Sequence, residues 1–207
     1  MKTNLNLLCL AIALLAVSCK QGQKVSDKKE IAAQQFTGRK GEVKLITLDP
    51  GHFHAGLILK TMYDQINPKV YVYAPEGADL NQHLQRIEGF NNREQDPTSW
   101  DLKVYQGDDF FERMLSDKAG NVMNVSGNNA KKTEYILKSV EAGINVFADK
   151  PMVIDADDFP SLEKAFRLAK EKGLLLYDIM TERYEITTML QRELSQMPAV
   201  FGELLPG

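Results

Sequence analysis

Three short stretches of this chain combine residue types that could do chemistry. The first is Asp49-Pro50-Gly51-His52-Phe53-His54, a turn cluster directly after an apolar run. Its two imidazoles form a His-x-His pair able to ligate a metal, but a metal centre needs at least a third ligand and none stands at a recognisable spacing. The expectation is therefore no metal. His52 and His54 instead line a cofactor or substrate cleft, or His52 is simply exposed. The second stretch is Asp149-Lys150-Pro151, again after an apolar run. A lysine beside a reacting carbon lowers a hydroxyl's pKa or stabilises an alkoxide; the alternative for Lys150 is a solvated turn lysine. The third is Ser126-Gly127-Asn128-Asn129. Asp178, Glu182 and Arg183 stand after a later run and could equally border a cleft or lie on the surface.

Positioning these groups takes an alternation of strands and helices. Apolar, β-branched runs at 43–48, 70–74, 102–105, 121–126, 144–148 and 174–179 predict six strands. Helical spacing predicts helices over 54–63, 79–87, 110–115, 132–142, 157–172 and 185–194, with 89–100 as loop. Gly143 and Gly173 follow two of these helices, where a left-handed residue closes the last turn. Tyr71 and Tyr73 alternate on one strand face and read as core. Strands and helices at this spacing imply an α/β fold with a doubly wound parallel sheet, covered on both faces. In such a fold His52 and His54 lie at the carboxyl ends of the strands, where ligands bind.

A strand, tight turn and helix over 45–59 is where a dinucleotide fold holds its pyrophosphate on helix N-terminal amides. Of the usual three glycines only the middle one, Gly51, is present; Asp49 stands for the first and His54 for the third. An ionised Asp49 would face a pyrophosphate unfavourably.

The run Glu141-Ala142-Gly143-Ile144-Asn145-Val146-Phe147-Ala148-Asp149-Lys150-Pro151 resembles the helix–Gly–strand–(Glu-Lys-Pro) signature of Gfo/Idh/MocA oxidoreductases, with Asp149 in place of Glu. Asn124 to Asn129 is similar to that family's fourth-strand turn, usually Thr-Pro-Asn-His, with Asn128 matching its Asn and Asn129 replacing its His. The resemblance covers about residues 43–190. It implies a nicotinamide nucleotide, NAD or NADP, near Gly51, His52, Phe53, His54, Ser126, Asn128, Asp149, Lys150 and Pro151. Lys150 would touch both the nicotinamide side and the substrate, and Pro151 would shape the turn, often around a cis peptide. The acid that ends strand two and binds the adenosine ribose would fall near Ala74, and Glu76 is the nearby substitute. The family's catalytic His and Asp have no counterpart here.

The 207 residues carry a net charge of -3, with 43% hydrophobic and 26% charged residues. Scattered basic residues and a slightly acidic balance argue against nucleic acid as a partner. At the N-terminus, Lys2 precedes the apolar run Leu7 to Val17, which falls short of the roughly 20 residues of a membrane span and suits a signal peptide. Leu15-Ala16-Val17-Ser18-Cys19 resembles the lipobox of bacterial lipoproteins, which implies lipidation of Cys19; a plain secretory signal is the alternative. Cys9 would be removed, leaving no disulfide framework. Residues 20–41 read as a flexible tether, and Lys20 is no acidic retention signal, so the expected location is the outer membrane, facing the periplasm.

The resulting domain plan is a signal peptide over 1–19, a tether over 20–41, an NAD(P)-binding Rossmann domain over 42–180 and the start of a truncated substrate domain over 181–207. The resemblance implies hydride transfer from a small-molecule sugar or cyclitol to tightly held NAD(P), since an exported enzyme must recycle its nucleotide within one cycle. A glycosidase that oxidises, eliminates and reduces back is one alternative. A non-catalytic, membrane-tethered carbohydrate-binding protein is another. The full-length form is a possible homo-oligomer.

Overall fold

Six strands, β1 (Leu45–Leu48), β2 (Lys69–Ala74), β3 (Asp101–Gln106), β4 (Val122–Val125), β5 (Asn145–Asp149) and β6 (Leu176–Ile179), pair in parallel in the order β3-β2-β1-β4-β5-β6. The chain is seen in a computed structural model that describes residues 36–180, 182, 184–203 and 205. Cys19, the signal segment 1–19, the tether up to residue 35 and Arg183 lie outside the described residues. Among the described residues no helix is long and apolar enough to cross a membrane.

Alternation along each strand divides the core. Ile46 and Leu48 enter one apolar cluster with Met123, Val125, Val146 and Ala148, while Leu45 joins the other with Val70 and Val72. On the first face pack α3 (Phe110–Asp117), α4 (Asn129–Glu141) and α5 (Phe159–Lys172), through Phe111, Met114, Ile136, Val140, Leu162 and Ala165. On the second lie α1 (His54–Leu57) and α2 (Ala78–Asn92), with Leu59, Leu80, Ile87 and Trp100 between them and the sheet. Burial on both faces is why the inner strands β1, β2, β4 and β5 read as largely apolar runs, whereas the edge strand β3 is mostly exposed. Truncating Ile136, fully buried in the larger cluster, to Ala costs about 2–5 kcal/mol. Gly143 and Gly173 adopt left-handed conformations (φ 86° and 67°) after α4 and α5. Beyond the sheet lie α6 (Ile186–Ser195) and α7 (Pro198–Phe201).

Two elements differ from the sequence pattern, each for a local reason. The helix expected over 54–63 is a single turn. Leu59 and Lys60 donate to carbonyls three residues back, as in a 3-10 turn, and two distant side chains then take the freed carbonyls. The Trp100 indole N–H donates to the Leu59 carbonyl at 2.6 Å, and Arg93 Nη2 to that of Lys60 at 2.7 Å. In the other direction, α2 runs through 89–92, read as loop from sequence. There Asn91 holds the returning chain: its Oδ1 accepts from Thr98 Oγ1 and Trp100 N–H, and its Nδ2 donates to the Trp100 carbonyl.

The strand order reverses direction between β1 and β4, so the loops leaving their carboxyl ends diverge and open a crevice there. The three chemistry-bearing stretches follow β1, β4 and β5 around that crevice.

Candidate functional site

The turn after β1 is organised by Asp49, a non-glycine residue at φ 46°. Its N–H donates to the Tyr73 carbonyl on β2, and its carboxylate Oδ2 accepts the Asn128 N–H at 2.8 Å. It therefore ties the β1 turn to the β4 turn. Gly127 is obligatory at this contact, because a Cβ there would lie 2.1 Å from Asp49 Cγ and 2.2 Å from its carbonyl oxygen. Burial pushes the Asp49 carboxyl above its usual range; the Asp79 charge adds to this, while the Asn128 N–H and the Lys132 charge oppose it. Asp79 stands close by: a Cβ on Gly51 would meet its Oδ2 at 3.3 Å.

At the end of β5 the side chain of Asp149 is 2% exposed and accepts from two imidazoles. Its Oδ2 lies 2.9 Å from His52 Nδ1 and its Oδ1 3.0 Å from His54 Nδ1. A carboxylate only accepts, so each ring donates its Nδ1–H in this arrangement. The rings pack edge to face with centroids 4.2 Å apart. His54 is buried, whereas the His52 side chain is 40% exposed and faces the crevice. Sequence reading set the pair aside for want of a third ligand. Asp149 is the group that joins it, 95 residues beyond His54, a distance no local spacing rule spans.

The crevice is a cleft of about 810 Å3 lined by residues from all three turns, among them Asp49, Gly51, His52, Ser126, Asn128, Asp149, Lys150 and Pro151. Lys150 is exposed at its mouth, and the Lys150–Pro151 peptide is cis. The Ser126 hydroxyl is buried and has no hydrogen-bond partner among the described residues. Asn128 caps α4, its side chain accepting from the Ala130 N–H. Three expected site residues are not among those lining this cleft. Glu76 is exposed in the loop after β2, and Asp79 stands in the wall instead. His54 is buried behind His52. Phe53, half-exposed, lines a small hollow beside Arg86, whose guanidinium lies 6.0 Å from the ring centroid. Asp178, on β6, and Glu182 do not line the cleft either.

Sequence reading passed over Lys132, which lines the cleft at 1% exposure. Its Nζ donates to Asn129 Oδ1 at 2.6 Å. Burial lowers its pKa, with the Lys150 charge adding and the Asp149 and Asp49 charges opposing. A signal existed: 132 begins the stripe 132, 135, 136, 139, 140 that buries α4, so a lysine holds a core position. Tyr135, next on the stripe, also lines the cleft, and burial with the Asp49 charge pushes its hydroxyl up to about 12.

Residues 78–178 match the Gfo/Idh/MocA family model, described as an oxidoreductase family with an NAD-binding Rossmann fold. No curated protein matches the chain. A solved structure from Parabacteroides merdae, of a protein assigned as an oxidoreductase, is 62% identical with a TM-score of 0.79, covering 84% of this chain and 40% of its own. The chain therefore spans less than half the length of that relative. An oxidoreductase assignment from Thermotoga maritima (17% identity, TM-score 0.58, 77% and 45% covered) is similar in fold. So is scyllo-inositol dehydrogenase from Lactobacillus casei (13%, 0.55, 80% and 44%). In its strand order and over residues 78–178 the chain is similar to the NAD-binding Rossmann domain of the Gfo/Idh/MocA family.

Proposed function

We propose that this chain is the nucleotide-holding part of an oxidoreductase that oxidises a sugar or cyclitol hydroxyl with tightly retained NAD or NADP. The observation that carries the reading is the convergence of Ser126, Asn128, Asp149, Lys150 and Lys132 on one cleft at the β1/β4 reversal. Similarity in fold to an inositol dehydrogenase supports a polyol as substrate class.

The cleft's residues fit such a nucleotide with one exception. Ser126 offers a buried, unpartnered hydroxyl, and Gly51 a turn without a side chain. Lys131, Lys132 and Lys150 balance Asp49, Asp79 and Asp149 in the wall, so the lining is not repulsive as a whole. The exception is the β1 turn, where Asp49 and Asp79 stand nearest the pyrophosphate position and α1 is too short to offer a helix terminus. When bound, the nicotinamide supplies the hydride acceptor. Lys150 holds the substrate oxygen and lowers its pKa, Lys132 sets the charge of the cleft floor, and Asp149 fixes the orientation of His52. The Asp49–Asp79 pair favours a second reading, a carbohydrate-binding protein on the same scaffold that uses no nucleotide. A lipid anchor on Cys19 at the outer membrane, facing the periplasm, is part of both readings; in the first, export requires a nucleotide that does not leave.

The deciding measurement uses the longest native reading frame containing this sequence, expressed without residues 1–19 and denatured to release bound molecules. Near-stoichiometric nicotinamide nucleotide in the supernatant supports the oxidoreductase. An empty protein that also ignores added nucleotide moves the conclusion to the binding protein. In a loaded protein, Lys150→Ala abolishes turnover while leaving the nucleotide bound; retained turnover removes Lys150 from its role.

A further inference from the structure

We propose that His52, His54 and Asp149 form a binding site for a divalent first-row metal ion, zinc(II) by its donor set, with an open coordination position toward the cleft. The site does not depend on whether the cleft holds a nucleotide.

One ring nitrogen each of His52 and His54 and a carboxylate oxygen of Asp149 all lie within 4.8 Å of one another. An ion bound at about 2.0–2.1 Å from imidazole nitrogen and carboxylate oxygen fits among three atoms at that spacing after small side-chain rotations. Two neutral nitrogens and one anionic oxygen, without thiolate, suit zinc, iron or cobalt rather than the all-oxygen preference of magnesium or calcium. The Asp149 and His54 side chains are 2% and 7% exposed, so the rear of the site is closed to water. The 40% exposed His52 opens it on one side, toward the cleft that Lys150 also lines. Three protein ligands and one accessible face are the pattern of catalytic rather than structural zinc.

The supports are placed independently. His52 and His54 leave the same turn, which Asp49 ties to β4, and Asp149 is fixed at the end of β5. Each Nδ1 points at a different oxygen of a single buried carboxylate. Replacing two N–H donors by one dication satisfies the same lone pairs and compensates the buried anion more fully. Lys132, close enough for the Asp149 charge to act on it, donates its Nζ–H to Asn129 Oδ1. On the function proposed above, the ion would polarise a hydroxyl or carbonyl oxygen beside Lys150.

The test uses the full chain, stripped with a chelator and titrated first with zinc(II) alone and then with cobalt(II), whose visible d–d absorption reports its ligands. One equivalent of zinc is expected, together with cobalt bands of a nitrogen–oxygen site without thiolate charge transfer. His52→Gln, at the exposed ligand, and His54→Gln should each weaken binding by at least about tenfold, the range seen even when only a ligand's supporting group is lost. His52→Gln guards against a merely unfolded variant, since its thermal melt without metal should match the parent. Failure of the parent to take up zinc, or equal affinity in both variants, overturns the proposal and leaves a hydrogen-bonded His–Asp–His cluster only. The readout needs no nucleotide, so its failure is separable from that of the oxidoreductase reading.

Discussion

Asp49 and Gly127 share one volume: the carboxylate and carbonyl of the first stand 2.1 and 2.2 Å from where a Cβ on the second would be. Gly127→Ala must therefore push the β1 and β4 turns apart. A loss of about 1–3 kcal/mol or more is expected, read as a lower urea midpoint with an unchanged m-value. Combining it with Asp49→Ala should restore only part of the loss, because the Asp49 carbonyl oxygen remains. Full recovery would show that the side chain alone sets the contact.

Asp49 itself gives a prediction in charge. Asn at this position keeps an oxygen to accept the Asn128 N–H, tolerates positive φ and removes the anion nearest the pyrophosphate position. Asp49→Asn should tighten nicotinamide nucleotide binding by roughly tenfold, about 1.4 kcal/mol, by calorimetric titration. Its effect on stability has a defined sign. The folded carboxyl titrates above the ordinary carboxylate value, so the folded state holds more protons through that window and stability falls as pH rises across it. The variant should lose that slope.

How far the site could be read from sequence follows from the range of each signal. The parallel sheet was legible because its buried inner strands leave apolar runs and Gly143 and Gly173 mark helix ends, features carried by neighbouring residues. The grouping of the turns at Asp49, Asn128 and Lys150 followed from the fold, since strand carboxyl ends share one edge. The shortened α1 was hidden because its end is set by Trp100 and Arg93, far along the chain. The Asp149 contact to both histidines was hidden for the same reason. Lys132 was legible in principle, but a lysine in an apolar stripe reads as noise until burial is known.

The third histidine, His83, carries a pH dependence unrelated to the cleft's own chemistry. It is buried on α2, and burial, with the Arg86 charge adding, pushes its pKa from 6.5 down to about 4. Between those values the unfolded chain binds the proton and the folded chain does not. Stability is therefore complete above the unfolded pKa and is lost as pH falls through the window, by about 3 kcal/mol at its foot. His83 Nε2 has no hydrogen-bond partner among the described residues, so His83→Met should cost little at neutral pH and may be compared directly across pH. Urea melts at several acidities should show the parent weakening on acidification and the variant holding more of its stability.

Lys132 separates a charge role from a packing role. Burial is the largest influence on its pKa and disfavours the charged form, so the folded state binds its proton less firmly than the unfolded chain does. Stability should thus rise with pH toward the ordinary lysine value, and Lys132→Met should be flat there and at least as stable as the parent at neutral pH. Methionine fills the same stripe on α4 beside Tyr135 and Ile136. If Lys132 supplies the charge that offsets Asp49 and Asp149, the variant should lose about tenfold in nucleotide affinity at low salt despite its stability, about 1.4 kcal/mol. Lys132→Arg should keep more of the affinity while packing less well. Unchanged affinity in Lys132→Met would make the lysine a buried structural group held by Asn129, and the burden of anion binding would shift to Lys131 and Lys150.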